Sequence, residues 1–117
     1  MNTLEPVHLN HPPFAAIAIA ALLGMAPFAA RAADHLVVQK NKSFANDHLV
    51  VHAGDIVRFL NLDDVPHNAF SLSSSNPFDT GMSTKGGSKD ITFDKPGIVE
   101  VECAVHPGMK MIIEVQR

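Results

Sequence analysis

The chain has 117 residues, a length that suits one domain, and its single cysteine, Cys103, excludes an internal disulfide. Lys and Arg number 9 against 12 Asp and Glu, a formal net charge of -3 with no basic run, so a nucleic-acid partner has no electrostatic support. Tyr and Trp are absent, which leaves 7 Phe to supply the aromatic bulk of any core.

Residues 14–30 are almost entirely Ala, Ile, Leu, Met and Phe, broken by Gly24 and Pro27, and the first charge after this run is Arg31. Ala30-Arg31-Ala32 fits the small-x-small rule for signal peptidase, with cleavage before Ala33. The stretch ahead of the apolar run carries Glu5, His8 and His11 but no Lys or Arg, a departure from the usual basic start. An uncleaved membrane anchor is the alternative. Pro27 and the short run weigh against it, because a span needs about 20 apolar residues. The expectation is an export signal over residues 1–32 and a mature domain over 33–117, with no membrane span after cleavage and a periplasmic or extracellular location.

From Asp34 onward apolar residues come in short bursts between turn residues. Leu36-Val37-Val38 and Leu49-Val50-Val51 are followed by the turn Ala53-Gly54-Asp55, the run 56–60 and the shorter run 69–72. A Ser-, Gly- and Asn-rich loop fills 73–87, and a single helical turn is allowed within 73–85. Ile91-Thr92-Phe93 resumes the pattern and Lys95-Pro96-Gly97 turns the chain. Residues 98–103 then alternate apolar and polar, and the last run covers 109–115. Short Val-, Ile- and Phe-rich bursts spaced about 8–12 residues apart predict an all-β sandwich or barrel. Asp-His-Leu-Val-Val occurs twice, at 34–38 and 47–51. The interval is too short for a structural repeat of about 20 or more residues, so it reads as two strands with similar faces or as coincidence.

The chemistry concentrates in Cys103-Ala104-Val105-His106-Pro107-Gly108-Met109-Lys110-Met111. A strand enters Cys103 and another leaves after Met109, so a tight loop presents a thiolate, an imidazole and a thioether together. These are the donors copper prefers. His67, in Asp63-Asp64-Val65-Pro66-His67-Asn68, lies just past a strand end, and loops at one end of a sandwich cluster in space. Taken singly, Cys103 reads as buried filler, His106 as a surface histidine, and Met109 and Met111 as core. Their co-occurrence points to a metal site. His35, His48 and His52 read as surface histidines, and Asp63-Asp64 as a solvated turn.

Cys-x-x-His-Pro-x-Met with an upstream Pro66-His67-Asn68 resembles the small blue-copper cupredoxins of the amicyanin and plastocyanin type. Residues 51–61 and the turn 93–97 fit the same family, so the resemblance covers nearly all of the chain from Leu36 onward. It implies a Greek-key β-sandwich with one type 1 copper. His67 and His106 would bind through ring nitrogen, Cys103 through sulfur, and a methionine weakly along the axis. Met109 and Met111 fall on one strand face, so parity leaves both open as the axial ligand. The family's strand length beyond its axial Met favours Met109. The resemblance further implies a monomeric one-electron carrier that is not an enzyme. It would dock transiently with redox proteins such as a c-type cytochrome or a periplasmic dehydrogenase, through an apolar ring of Pro66, Val105, Pro107 and Gly108 around His106. A copper-trafficking protein is the alternative. It draws on the spare Met111 and on Ala104, which stands where relatives have a hydroxyl that helps the Asn after the first His brace the ligand loops. An enzyme resembling a nitrite-reductase domain would call for further histidines and a second domain.

Overall fold

A computed structural model describes residues 31–117, with Thr3 and Gly24 as isolated positions ahead of them. The expected export signal therefore lies almost wholly outside the described residues. Nine strands follow in order: β1 Asp34–Lys40, β2 Ser43–Phe44, β3 His48–His52, β4 Asp55–Asn61, β5 Phe70–Ser71, β6 Phe78–Asp79, β7 Ser88–Phe93, β8 Gly97–Glu102 and β9 Lys110–Gln116. They form two sheets, ordered β2-β1-β4-β7 and β3-β9-β8-β5-β6, which make the expected all-β Greek-key sandwich. No helix among the described residues is long and apolar enough to cross a membrane.

The core follows from alternation. Val57 and Phe59 of β4 point inward, as do Val99 and Val101 of β8 and Met111, Ile113 and Val115 of β9. Phe59 is the aromatic centre: Phe44 packs edge-on at 6.3 Å and Phe78 stacks at 5.7 Å. Phe78 meets Phe93 edge-on at 5.5 Å. Phenylalanine alone supplies this chain of rings, as the composition requires. Burying each Val or Phe contributes about 1.5–3 kcal/mol, so these rings and the valines around them carry the fold.

The inward face of β4 continues past its apolar middle. It reads Asp55, Val57, Phe59, Asn61, with a buried polar residue at each end. Asp55 therefore sits at one end of the sandwich and Asn61 at the other, about 20 Å apart by strand rise.

Two points that the sequence leaves open are decided by the structure. The loop 73–87 has no helical turn; it contains β6 and a bridge between His67 and Ser83. The two Asp-His-Leu-Val-Val segments do not present similar faces. Val37 is buried in the first, whereas its counterpart Val50 is exposed and Val51 is buried in the second. The first pairs with β4 and the second with β9, both in parallel. A one-residue change of phase turns every side chain over, so the pairing strand decides the face.

The β1–β2 hairpin turns through Asn41 and Lys42, both left-handed at φ 52° and 55°. This is the geometry of a two-residue mirror-image turn, in which asparagine is at ease and lysine is uncommon.

Candidate metal centre

Two loops build the site. Cys103 continues the inward parity of Val99 and Val101 just past β8 and is buried. Gly108, at φ 92°, lets the chain double back. The loop closes with the Met109 amide donating to the His106 carbonyl at 3.0 Å and the Cys103 amide to the Met109 carbonyl at 3.2 Å. His67 enters from the loop after β4. Its backbone pairs with Ser83 in both directions, at 3.1 and 2.8 Å, and its side chain is fully buried. The Asn61 side chain shapes this loop by donating to the carbonyls of Val65 and Ser83 and accepting from the Asp63 amide.

The three predicted donors meet. His67 Nδ1 lies 3.0 Å from His106 Nδ1, and Cys103 Sγ lies 3.7 Å from each. The point equidistant from the corners of this triangle is about 2.0 Å from all three atoms, a bonding distance for a borderline metal ion to nitrogen and near one to sulfur. Among the described residues, this is the group placed to hold a metal ion. His48 and His52 form no second site; His48 is exposed and faces Glu114 at 3.3 Å.

The structure adds a residue that the sequence reading put in solvent. Asp63 is buried, and its Oδ2 accepts a hydrogen bond from His67 Nε2 at 2.8 Å. An ionised carboxylate only accepts, so the proton sits on Nε2 and the Nδ1 lone pair faces the triangle. That hydrogen bond first, and the Lys42 amide second, hold Asp63 at a pKa of about 2. Its neighbour Asp64 fits the solvated turn: it is exposed and pairs with Lys85 at 2.7 Å. The available signal was parity. Positions 55, 57, 59, 61 and 63 are all buried, so the inward face of β4 runs on one step beyond the strand.

The brace expected of Asn68 is present without the hydroxyl that Ala104 lacks. Asn68 Oδ1 accepts from the Ala104 amide at 2.8 Å, and its Nδ2 donates to Asp79 at 3.2 Å. Gln39, also buried, donates to the Asn68 carbonyl at 3.0 Å. The two methionines are both buried but stand at different levels. Met109 lies beside Cys103 through the backbone bond between them, whereas Met111 pairs with Val101, one pleat deeper in the core.

Two imidazoles and a cysteine sulfur converging on one point fit copper by donor chemistry. Comparison with known proteins agrees. The family of copper binding proteins of the plastocyanin/azurin type matches residues 32–116. Among solved structures, a copper-containing nitrite reductase from Thermus scotoductus superposes with a TM-score of 0.68 at 32% identity, covering 72% of this chain and 22% of that one. This chain thus spans about a fifth of that enzyme. A purple cupredoxin from Nitrosopumilus maritimus gives 0.64 at 20% identity, covering 71% of this chain and 100% of the other. Amicyanin from Paracoccus versutus gives 0.63 at 22% identity, covering 71% and 81%. No curated protein matches.

Proposed function

The chain belongs to the plastocyanin/azurin family of copper-binding proteins, and from that premise we propose that it carries single electrons on one copper held by His67, Cys103, His106 and Met109. The triangle of His67, His106 and Cys103 at 3.0, 3.7 and 3.7 Å carries this reading. Bound copper supplies a one-electron couple. The protein's part is to hold the donors still. The His67–Ser83 bridge, the Asp63 carboxylate and the Asn68 brace hold both loops through hydrogen bonds within the protein, so little rearranges between charge states. We read the protein as a carrier and not an enzyme, because two imidazoles, a thiolate and a thioether leave no position for a substrate.

His67 is fully buried and His106 only partly, so His106 is the electron port in this reading. Val105, Pro66, Pro107 and Gly108 around it are exposed, and Met82, next to Ser83, adds apolar surface. A small apolar face suits a transient redox partner, such as a c-type cytochrome or a periplasmic dehydrogenase, docking on a monomer. Export to the periplasm with removal of residues 1–32 completes the proposal. The trafficking alternative loses support, since Asn68 braces the Cys103 loop through the Ala104 amide and Met111 belongs to the core.

Adding Cu(II) to the mature protein is expected to give an intense thiolate-to-copper band in the visible and a reversible one-electron couple, both absent in Cys103→Ser. A protein that takes up Cu(I), releases it readily and does not cycle is a copper carrier instead. Val105→Asp is expected to keep the band but slow electron transfer to the partner. Unchanged transfer rates would remove the docking face from the proposal.

A further inference from the structure

The other end of β4 holds a buried carboxylate that the copper site does not use. Asp55 is 3% exposed. Its Oδ1 accepts from the Ala33 backbone nitrogen at 2.9 Å, and its Oδ2 from His35 Nε2 and the His52 amide, each at 2.8 Å. Burial pushes its pKa up, but the hydrogen bonds from His52, Ala33 and His35 together outweigh burial and hold it at about 2. The carboxylate is thus an anion in the interior, touched by two neutral amides and one imidazole. An interior anion gains from a charged partner, and His35 is one only when its imidazole is protonated.

Two independent observations meet at Ala33. The small-x-small rule, read on Ala30-Arg31-Ala32, puts peptidase cleavage before residue 33. Among the described residues, the fold also begins to grip the chain at residue 33. The Ala33 carbonyl accepts from the Ile56 amide at 3.0 Å and β1 starts at Asp34, whereas Arg31 and Ala32 are exposed and outside any strand.

We propose that Ala32–Ala33 is the processing site and that the α-ammonium freed on Ala33 becomes the ionic partner of the buried Asp55 carboxylate. The proposal rests on the export reading above. A signal peptidase adds water across the bond: hydroxyl goes to the Ala32 carbonyl carbon, hydrogen goes to the Ala33 nitrogen, and that amine takes a further proton from solvent at neutral pH. The ladder bond from Ile56 keeps Ala33 in place after the cut, so the nitrogen stays 2.9 Å from Oδ1 while changing from a neutral amide to a cation. Charge-assisted hydrogen bonds are roughly twice as strong as neutral ones. The lock is therefore absent from the precursor and forms only in the processed chain, a useful order for a chain that must cross a membrane before it folds.

The first test is the intact mass of the exported protein, which is expected to correspond to a chain starting at Ala33. Any other start overturns the proposal, and the visible copper band then shows separately whether the electron-carrier reading stands. The second test compares the copper-loaded protein starting at Ala33 with one carrying a single Gly ahead of it, which moves the ammonium away by up to about 3.6 Å. With Asp55 intact, the extension is expected to lower Tm by about 4–8 °C, and in Asp55→Asn by much less. Equal losses in both backgrounds overturn the ion pair. Should Asp55→Asn fail to fold, acylation decides. The Ala33 amine is expected to react about tenfold more slowly than the Gly-extended amine, the effect of a one-unit rise in its pKa. Equal rates overturn the proposal.

Discussion

The two ends of β4 carry the same arrangement for different purposes. At one end Asp63 accepts from His67 Nε2, and at the other Asp55 accepts from His35 Nε2, each at 2.8 Å. Both carboxylates are buried and both are held at a pKa of about 2. The difference lies in the second nitrogen of each ring. His67 Nδ1 looks onto Cys103 and His106, while His35 is partly exposed and belongs to no such cluster. A buried Asp–His pair is therefore not in itself a functional signature. What the other face of the imidazole meets decides whether the carboxylate orients a metal ligand or pins a strand.

This contrast breaks most readily at the copper end. Asp63→Asn is expected to weaken copper binding about 10–100-fold, as loss of a ligand's outer hydrogen-bond partner commonly does, while Asp55→Asn leaves affinity unchanged. A competition titration measures both, and equal losses would erase the distinction. At the far end, Asp55→Asn is expected to cost about 2 kcal/mol in urea unfolding at neutral pH through weakened hydrogen bonds to a charged group. Asp55 titrates near 2 in the folded chain against an ordinary 3.8, so its contribution is complete above about pH 4 and is lost as pH falls toward 2. The Asn variant should lack that part of the acid decline, and an unchanged acid profile would show that Asp55 is not its source. The smallest effects separate the two methionines. Met109→Leu and Met111→Leu should each cost less than about 1.5 kcal/mol, but only the first should alter the copper absorption spectrum.

Much of this was legible in the chain. Alternation in residues 98–103 and the run 109–115 marked β8 and β9, and the Cys103 loop with His67 marked the donors. What escaped depends on partners distant in sequence. Identical Asp-His-Leu-Val-Val segments took opposite faces because one lies on β4 and the other on β9, which no local pattern encodes. Of two adjacent aspartates, composition could not tell that Asp63 turns inward and Asp64 outward. Only the continued parity of β4 hinted at it. β6 was hidden because two residues, Phe78 and Asp79, are too few to show a period.

The left-handed hairpin at Asn41–Lys42 has a consequence of its own. Its Lys42 amide donates at 2.8 Å to Asp63 Oδ2, the same oxygen that accepts from the imidazole of His67. One oxygen thus links a surface turn to the donor set, and electron density drawn toward the ring is withdrawn from the turn. The NMR resonance of that single backbone proton should move when Cu(I) is added to the metal-free protein, giving a probe of the diamagnetic reduced centre from a residue outside its loops.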